Sequence, residues 1–351
     1  MIRLSYLLPL LLLQCSQSPL TVTTTAPLSE AHLRGLSFVA PPEAFTTDPM
    51  QEVQAAGAGW IAVIPYAYTR PGTPDVYYNQ HQRQWWGERP EGVRRTLELA
   101  REANISVLMK PQVYLPGSWP GDLQFETEAD WTAWETAYRD YLMQHVALAT
   151  EFGVPILCIG TEFKISAVER ETFWRTLIAD IRSQYPGRLT YAANWDHYQN
   201  IPFWDALDYI GIDAYFPLSE DPDPTLAQLV EAWQQPVQEV RAFQKKTDRP
   251  VIFTEFGYLS VAGAAGKTWE LESKVRSLDI DETEQATALD ALFTVWSQEP
   301  YWKGGFLWKW FPNMRGHEGY RARDYTPQGK EAMTVLRRWY AQKDSGNQKT
   351  D

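Results

Sequence analysis

Eight short apolar runs, each followed by a polar or amphipathic stretch, limit what this chain can form more than any other feature. They are "LRGLSF" near 33–38, "GWIAVIPY" at 59–66, "ISVLMKPQ" at 105–112 and "VPILCIGTE" at 154–162. "RLTYAANW" at 188–195, "LDYIGIDAY" at 207–215, "RPVIFTE" at 249–255 and "GGFLWKW" at 304–310 complete the set. Each has the length and the β-branched or aromatic content of a strand. Between them lie helical patterns. "EGVRRTLELAREAN" puts Val93, Leu97 and Ala100 on one face, and "ADWTAWETAYRDYLMQHVALATEFG" does the same with Trp131, Trp134, Tyr138, Tyr141 and Leu142. "ERETFWRTLIADIRSQYPG" and "DETEQATALDALFTVWSQEP" behave alike. Parallel strands need a crossover, so strands alternating with helices predict an α/β fold with a parallel sheet. Eight of them in 351 residues predict a closed (β/α)8 TIM barrel in one domain. The rival is an open doubly wound sheet. It would carry a glycine-rich phosphate loop after the first strand, and "GLSFVAPPEAF" has none.

The barrel is expected over residues 31–342. Before it, residues 1–15 read as a signal peptide: Arg3 is followed by the apolar run Leu7 to Leu13 and by Cys15. The arrangement resembles a bacterial lipoprotein signal in which Cys15 becomes the lipidated first residue. It predicts an exported protein held at the cell envelope, or else secreted. Residues 16–30 are Thr-, Ser- and Pro-rich and read as a flexible tether; residues 343–351 read as a disordered tail. The only other cysteine, Cys158, falls inside a predicted buried strand, so a disulfide framework is excluded. The net charge of -12 repels phosphate backbones and excludes nucleic acid as a partner. A membrane enters only through the lipid anchor, and a monomer is expected. The 16 Trp serve either a core or a cleft that stacks on sugar rings.

Two strands end alike. "ILCIGTE" stops on Glu162 and "VIFTE" stops on Glu255. By alternation, Cys158, Gly160 and Glu162 share one face, as do Val251, Phe253 and Glu255. If those faces line the barrel, both carboxyls lean over its mouth. Two acids facing across a pocket can divide their roles, one ionised and one protonated, which is the apparatus for cleaving a glycosidic bond. A polar cap at each strand end is the alternative. The long stretches 67–90 and 256–280 follow the second and seventh strands, on the face where barrel sites are built. Gly257 is expected to let the chain turn away after Glu255.

Taken in order, "LMKPQ", "GTE", "ANW", "DYIGIDAYFPL", "VIFTEFGY" and "TPQGKEAM" resemble glycoside hydrolase family 113, a family of clan A retaining glycosidases with β-1,4-mannanase activity. The resemblance spans roughly residues 33–340. It implies Glu162 as acid/base, Glu255 as nucleophile and a β-mannan or related carbohydrate as substrate. Thr161 stands where many relatives of the clan have an Asn that binds the sugar 2-hydroxyl. That leaves Asn194 or another polar group to make the contact. Other clan A specificities, such as a β-glucanase or an exo-glycosidase, are the alternatives within the enzyme class. A non-catalytic surface sugar-binding barrel is the alternative outside it.

Parity adds the supporting residues. Tyr215 shares a face with Asp213 and can hold an ionised Glu255 by a hydrogen bond; Asp213 can bind a sugar hydroxyl or satisfy backbone groups. Lys110 shares a face with Leu108 and Gln112, and a Lys amid apolar residues needs a carboxylate partner. Trp308, Trp195 and Trp85 are candidate sugar platforms, with core packing as the alternative. The histidines (His32, His81, His145, His197 and His317) have no metal-ligand spacing, and no G-x-S-x-G motif supports a serine nucleophile. No cofactor and no metal are expected.

Overall fold

The computed structural model describes residues 32–79, 84–316 and 319–342. The signal peptide, Cys15, the tether and the tail lie outside the described residues. Eight parallel strands close into a barrel: β1 (Leu33–Phe38), β2 (Trp60–Val63), β3 (Ser106–Met109), β4 (Ile156–Thr161), β5 (Arg188–Asn194), β6 (Ile210–Asp213), β7 (Val251–Phe256) and β8 (Trp302–Trp310). Each strand pairs with its neighbours in sequence, and β8 returns to β1 with Leu33 opposite Gly304. All eight predicted runs form these strands. Helices fill the crossovers, the longest being Glu128–Phe152. Thr127 caps its start by accepting from Asp130 N–H, and Gly153 ends it at φ 62°.

Two of the predicted runs are each split in the structure. Pro65 and Pro111 have no N–H to give to a ladder, so β2 and β3 end before them. Pairing resumes beyond as a separate two-stranded parallel sheet, Tyr66–Tyr68 against Gln112–Tyr114. Tyr68 also exchanges two backbone hydrogen bonds with Tyr77 (2.9 and 2.8 Å), an antiparallel bridge that folds the chain between them back on itself.

Two apolar layers result. Ala62, Leu108, Cys158, Ala192, Ile252 and Phe306 meet inside the barrel. Leu157, Ile159, Ile212, Val251, Phe253 and Phe256 face outward into the larger layer beneath the helices. This corrects the alternation argument. Val251 and Phe253 do not share a face with Glu255: Phe253 packs outward on Trp296 (ring centroids 4.7 Å apart) and Trp302 (5.7 Å). The register explains the exception. Phe253 pairs with Ile212 but Glu255 with Asp213, and Phe253 pairs with Gly305 but Phe256 with Leu307. One residue is inserted, a bulge at which Thr254 and Glu255 both turn inward. A second irregularity lies in β4, where Cys158 pairs with Thr190 but Thr161 with Ala192. Gly160 therefore parts from Cys158 and points outward. A Cβ there would sit 2.7 Å from the Trp174 ring, so only glycine allows that ring to approach.

Candidate active site

Glu162 follows β4 directly and adopts a left-handed backbone, φ 55°. For a residue with a Cβ that costs roughly 1–2 kcal/mol, and two backbone hydrogen bonds fix it. Glu162 N–H donates to Ala192 O, and its carbonyl accepts from Lys164 N–H, both at 2.8 Å. The turn aims the side chain into a cavity of about 640 Å³ at the C-terminal mouth of the barrel. Glu255, Asn194, Trp195, Tyr215 and Trp308 line the same cavity, as do Trp119, Trp269, Glu272 and Tyr325. β4 and β7 stand three places apart around the barrel.

The two acids have unlike surroundings. Three donors converge on Glu255. The Lys110 ammonium and Gln112 Nε2 (2.8 Å) donate to Oε1, and Tyr215 Oη (2.8 Å) donates to Oε2. Hydrogen bonds with a charged partner are shorter and more directional than neutral ones, so the three donors fix the position of this carboxyl. Glu162 receives one donor from a side chain, Trp119 Nε1 at 2.5 Å. Burial, with the Glu255 charge adding to it, pushes the Glu162 carboxyl up to about 7. One acid is thus provided with cationic and hydroxyl donors, and the other is pressed toward its neutral form. Such a pair can supply a base or nucleophile and an acid at the same pH.

Lys110 is fully buried at the end of β3 and also lies 3.9 Å from Asp213 Oδ1. Burial alone would lower its basicity; the Asp213 and Glu255 charges outweigh that and raise it. Asp213 is itself buried and accepts from Thr254 Oγ1 at 2.7 Å. Its Oδ2 has no hydrogen-bond partner among the described residues. Burial, then the Glu255 charge, drive its carboxyl well above the ordinary range, with Lys110 opposing. The Asp213 carboxyl therefore turns toward the interior network rather than outward to the cleft. Cys158 sits inside the barrel, where burial pushes its thiol up to about 11.

Asn194 ends β5, and its Oδ1 accepts from Trp195 N–H at 2.8 Å. Trp195 stacks on Trp269 (5.6 Å, 25°) at one end of the cleft. Trp308, on β8, lines the cleft as well. Trp85 does not reach this cavity; it lines a neighbouring one that shares Trp308. Gly257 keeps a negative φ, and its role is space: a Cβ would lie 2.3 Å from Trp308 O. That close approach, and not a special turn, requires glycine here.

Sequence reasoning missed Gln112, Trp119, Trp269, Glu272 and Tyr325 as site residues. Gln112 was legible, because it shares parity with Lys110. Trp119 lies in the Gly- and Pro-rich segment "LPGSWPGDL", and its position depends on how that loop folds. Tyr325 Oη donates to Glu272 Oε1 at 2.5 Å, joining the short helix Thr268–Glu272 to a loop 53 residues further on. Among the described residues, no group of three or more His, Cys, Asp or Glu is placed to hold a metal.

A (β/α)8 barrel whose mouth carries two carboxyls in an aromatic-walled cleft has the architecture of a glycoside hydrolase. Residues 42–330 match the model of Glycoside Hydrolase Family 113. The chain belongs to that family and is a glycoside hydrolase. Among solved structures it is similar to the GH113 β-mannanase AaManA from Alicyclobacillus acidocaldarius, in complex with ManMIm. The identity is 26%, over 88% of this chain and 97% of that one, with a TM-score of 0.75. A second GH113 β-1,4-mannanase (23% identity, 89% and 100% coverage, TM-score 0.74) shares the fold. So does a β-glucuronidase from Ruminococcus gnavus (16%, 88% and 50%, TM-score 0.60). No curated protein sequence matches the chain.

Proposed function

We propose that the protein is a retaining β-1,4-mannanase in which Glu255 is the nucleophile and Glu162 the acid/base. The observation that carries the reading is the unequal treatment of the two carboxyls. Glu255 is held by Lys110, Gln112 and Tyr215, while Glu162 has the Trp119 N–H and a proton affinity raised to about 7. Glu255 attacks the anomeric carbon as Glu162 protonates the departing oxygen, and a covalent glycosyl-enzyme forms. Glu162, now ionised, takes a proton from water, which attacks the same carbon and releases Glu255. Tyr215 and Lys110 position Glu255. Asn194 and Tyr325 offer polar contacts to the sugar, and Trp308 offers a flat face. The mannan preference rests on the family and on the AaManA likeness.

The test is incubation with a panel of β-linked polysaccharides and oligosaccharides, following the first-formed product by proton NMR. Mannan cleavage with an initial β-anomer is expected, and Glu255→Ala should abolish it. An initial α-anomer, or full activity in Glu255→Ala, overturns the mechanism. Cleavage confined to β-glucans overturns the mannanase reading alone.

A further inference from the structure

Beside the cleft, where the chain leaves β7 and β8, lies a buried polar cluster that the catalytic steps above do not use. Ser260, Gln285, Asp324 and Lys330 form it, and each is less than a tenth exposed. None of them lines the cavity that holds the two acids. A lysine has three donors, and three bonds occupy those of Lys330: to Asp324 O (2.7 Å), to Ser260 Oγ (2.7 Å) and to Asp324 Oδ1 (3.1 Å). Ser260 Oγ lies 3.0 Å from Ala322 O and 3.1 Å from Asp324 O, and its N–H donates to Arg323 O at 3.3 Å. Gln285, on the helix Glu282–Trp296, directs its Nε2 at Tyr258 O (2.9 Å), Tyr325 O (3.0 Å) and Asp324 O (3.4 Å). Gln328 clips the same loop to the end of β8. Its Oε1 accepts from Phe311 N–H and its Nε2 donates to Phe311 O, both at 2.9 Å.

These bonds converge on Asp324 and Tyr325. A buried ion pair gains little over apolar packing of similar volume, so stability alone gives no reason for a lysine and an aspartate here. What they supply is a fixed place for the loop. Tyr258 is three residues beyond Glu255, so the Gln285 amide ties Tyr325 to the chain that carries the proposed nucleophile. Tyr325 itself faces the cleft. Its Oη donates to Glu272, and its ring meets that of Tyr215 edge-on (centroids 6.1 Å apart, 62°). Tyr215 is the phenol that donates to Glu255 Oε2. A shift of the loop would therefore reach the nucleophile through two packed rings.

We propose that Gln285 and Lys330 are positioning residues: from outside the cavity they set the place of Tyr325 and, through it, the hold of Tyr215 on Glu255. The proposal rests on the role given to Glu255 above. The test measures kcat and KM on the best substrate of the polysaccharide panel, whichever that is. It compares native protein, Gln285→Leu, Tyr325→Ala and the double variant. Leu is close to Gln in size, and the change also removes Oε1, which has no hydrogen-bond partner among the described residues. The fold should thus lose about 2 °C in melting temperature or less. Gln285→Leu should lower kcat about tenfold and change KM less than about threefold. In Tyr325→Ala protein the same change should cost less than about twofold, because no tyrosine is left to place. Lys330→Met should show the same pattern. It leaves Asp324 buried without its cation, and the Gln285 cycle keeps the proposal testable if that variant does not fold. Full kcat in Gln285→Leu, a loss confined to KM, or an equal fold-loss in both backgrounds overturns the proposal and leaves the mechanism standing. Native protein that turns over no substrate of the panel overturns the mechanism and the proposal with it.

Discussion

Replacing Glu162 by Gln should abolish turnover yet stabilise the fold above neutral pH. The side chain keeps its shape, and its amide oxygen can still accept from Trp119 Nε1. What disappears is a carboxyl whose proton affinity rises from 4.5 to about 7 on folding. At about 1.4 kcal/mol per pH unit, the ionised form then costs the native state about 3 kcal/mol. The cleft admits some water to this side chain, which trims the cost to about 2 kcal/mol. The sign follows from linkage. A carboxyl with a raised folded value contributes stability that is fully present below its unfolded value, near 4.5. That stability is lost as pH rises through about 7. Gln has no such loss. The melting temperature of Glu162→Gln minus that of native protein should therefore be near zero at pH 4.5. By pH 8 it should reach about +4 °C, at roughly 2 °C per kcal/mol for a domain of this size. Thermal melts by circular dichroism between pH 4.5 and 8.5 measure it. A difference that does not change with pH, or a variant less stable than native at pH 8, would refute the assignment of a neutralised, strained carboxyl to Glu162.

Because Glu162 must hold a proton to act as an acid, kcat/KM should fall as pH rises through about 7. Trp119→Phe removes a donor that favours the ionised form, so the falling limb should move upward by about one pH unit, and pH–rate profiles read it. Lys110→Met leaves Glu255 and Asp213 without their buried cation. It should cost about 3–5 kcal/mol in urea unfolding at pH 7 as well as most of the activity. Tyr215→Phe removes one of three donors to Glu255 and should lower kcat on the best substrate about tenfold or more with little change in KM. We propose from the sequence that Cys15 carries a lipid anchor; Cys15→Ser should then shift the protein from the membrane to the soluble fraction, and an unchanged distribution by fractionation and immunoblot refutes the anchor.

The barrel was legible because its strands are marked by composition. A run such as "VIFT" between polar stretches has few other places to go. The acids were legible for a different reason. An ionisable residue at the end of a buried strand is costly, so its presence on two strands calls for a purpose. The loops gave less. Trp119, Trp269 and Tyr325 sit in segments whose path is set by contacts far away in sequence, such as Tyr325 with Glu272, and no local pattern encodes those. Pro65 and Pro111 did carry a local signal, the loss of two ladder donors, and it marks where the second and third strands break.

The instructive failure is the alternation rule. It put Glu255 at the barrel mouth, where the structure has it, from a wrong premise, since Phe253, two residues earlier, faces the helices. A side-chain period of two holds only while the register holds, and one inserted residue inverts every position beyond it. Here the insertion has a chemical use. In a regular strand, Thr254 and Glu255 would point to opposite faces. At the bulge both point inward, so Thr254 holds Asp213 while Glu255 receives Lys110, Gln112 and Tyr215. The second irregularity, in β4, lets Cys158 pack the barrel while Gly160 admits Trp174 on the outside. Glu162 is then delivered by a left-handed turn. The β7 bulge demands no particular residue type, and the turn is made by Glu162 itself, so composition announces neither. What the sequence does show is their consequence, a carboxyl where a buried strand should end.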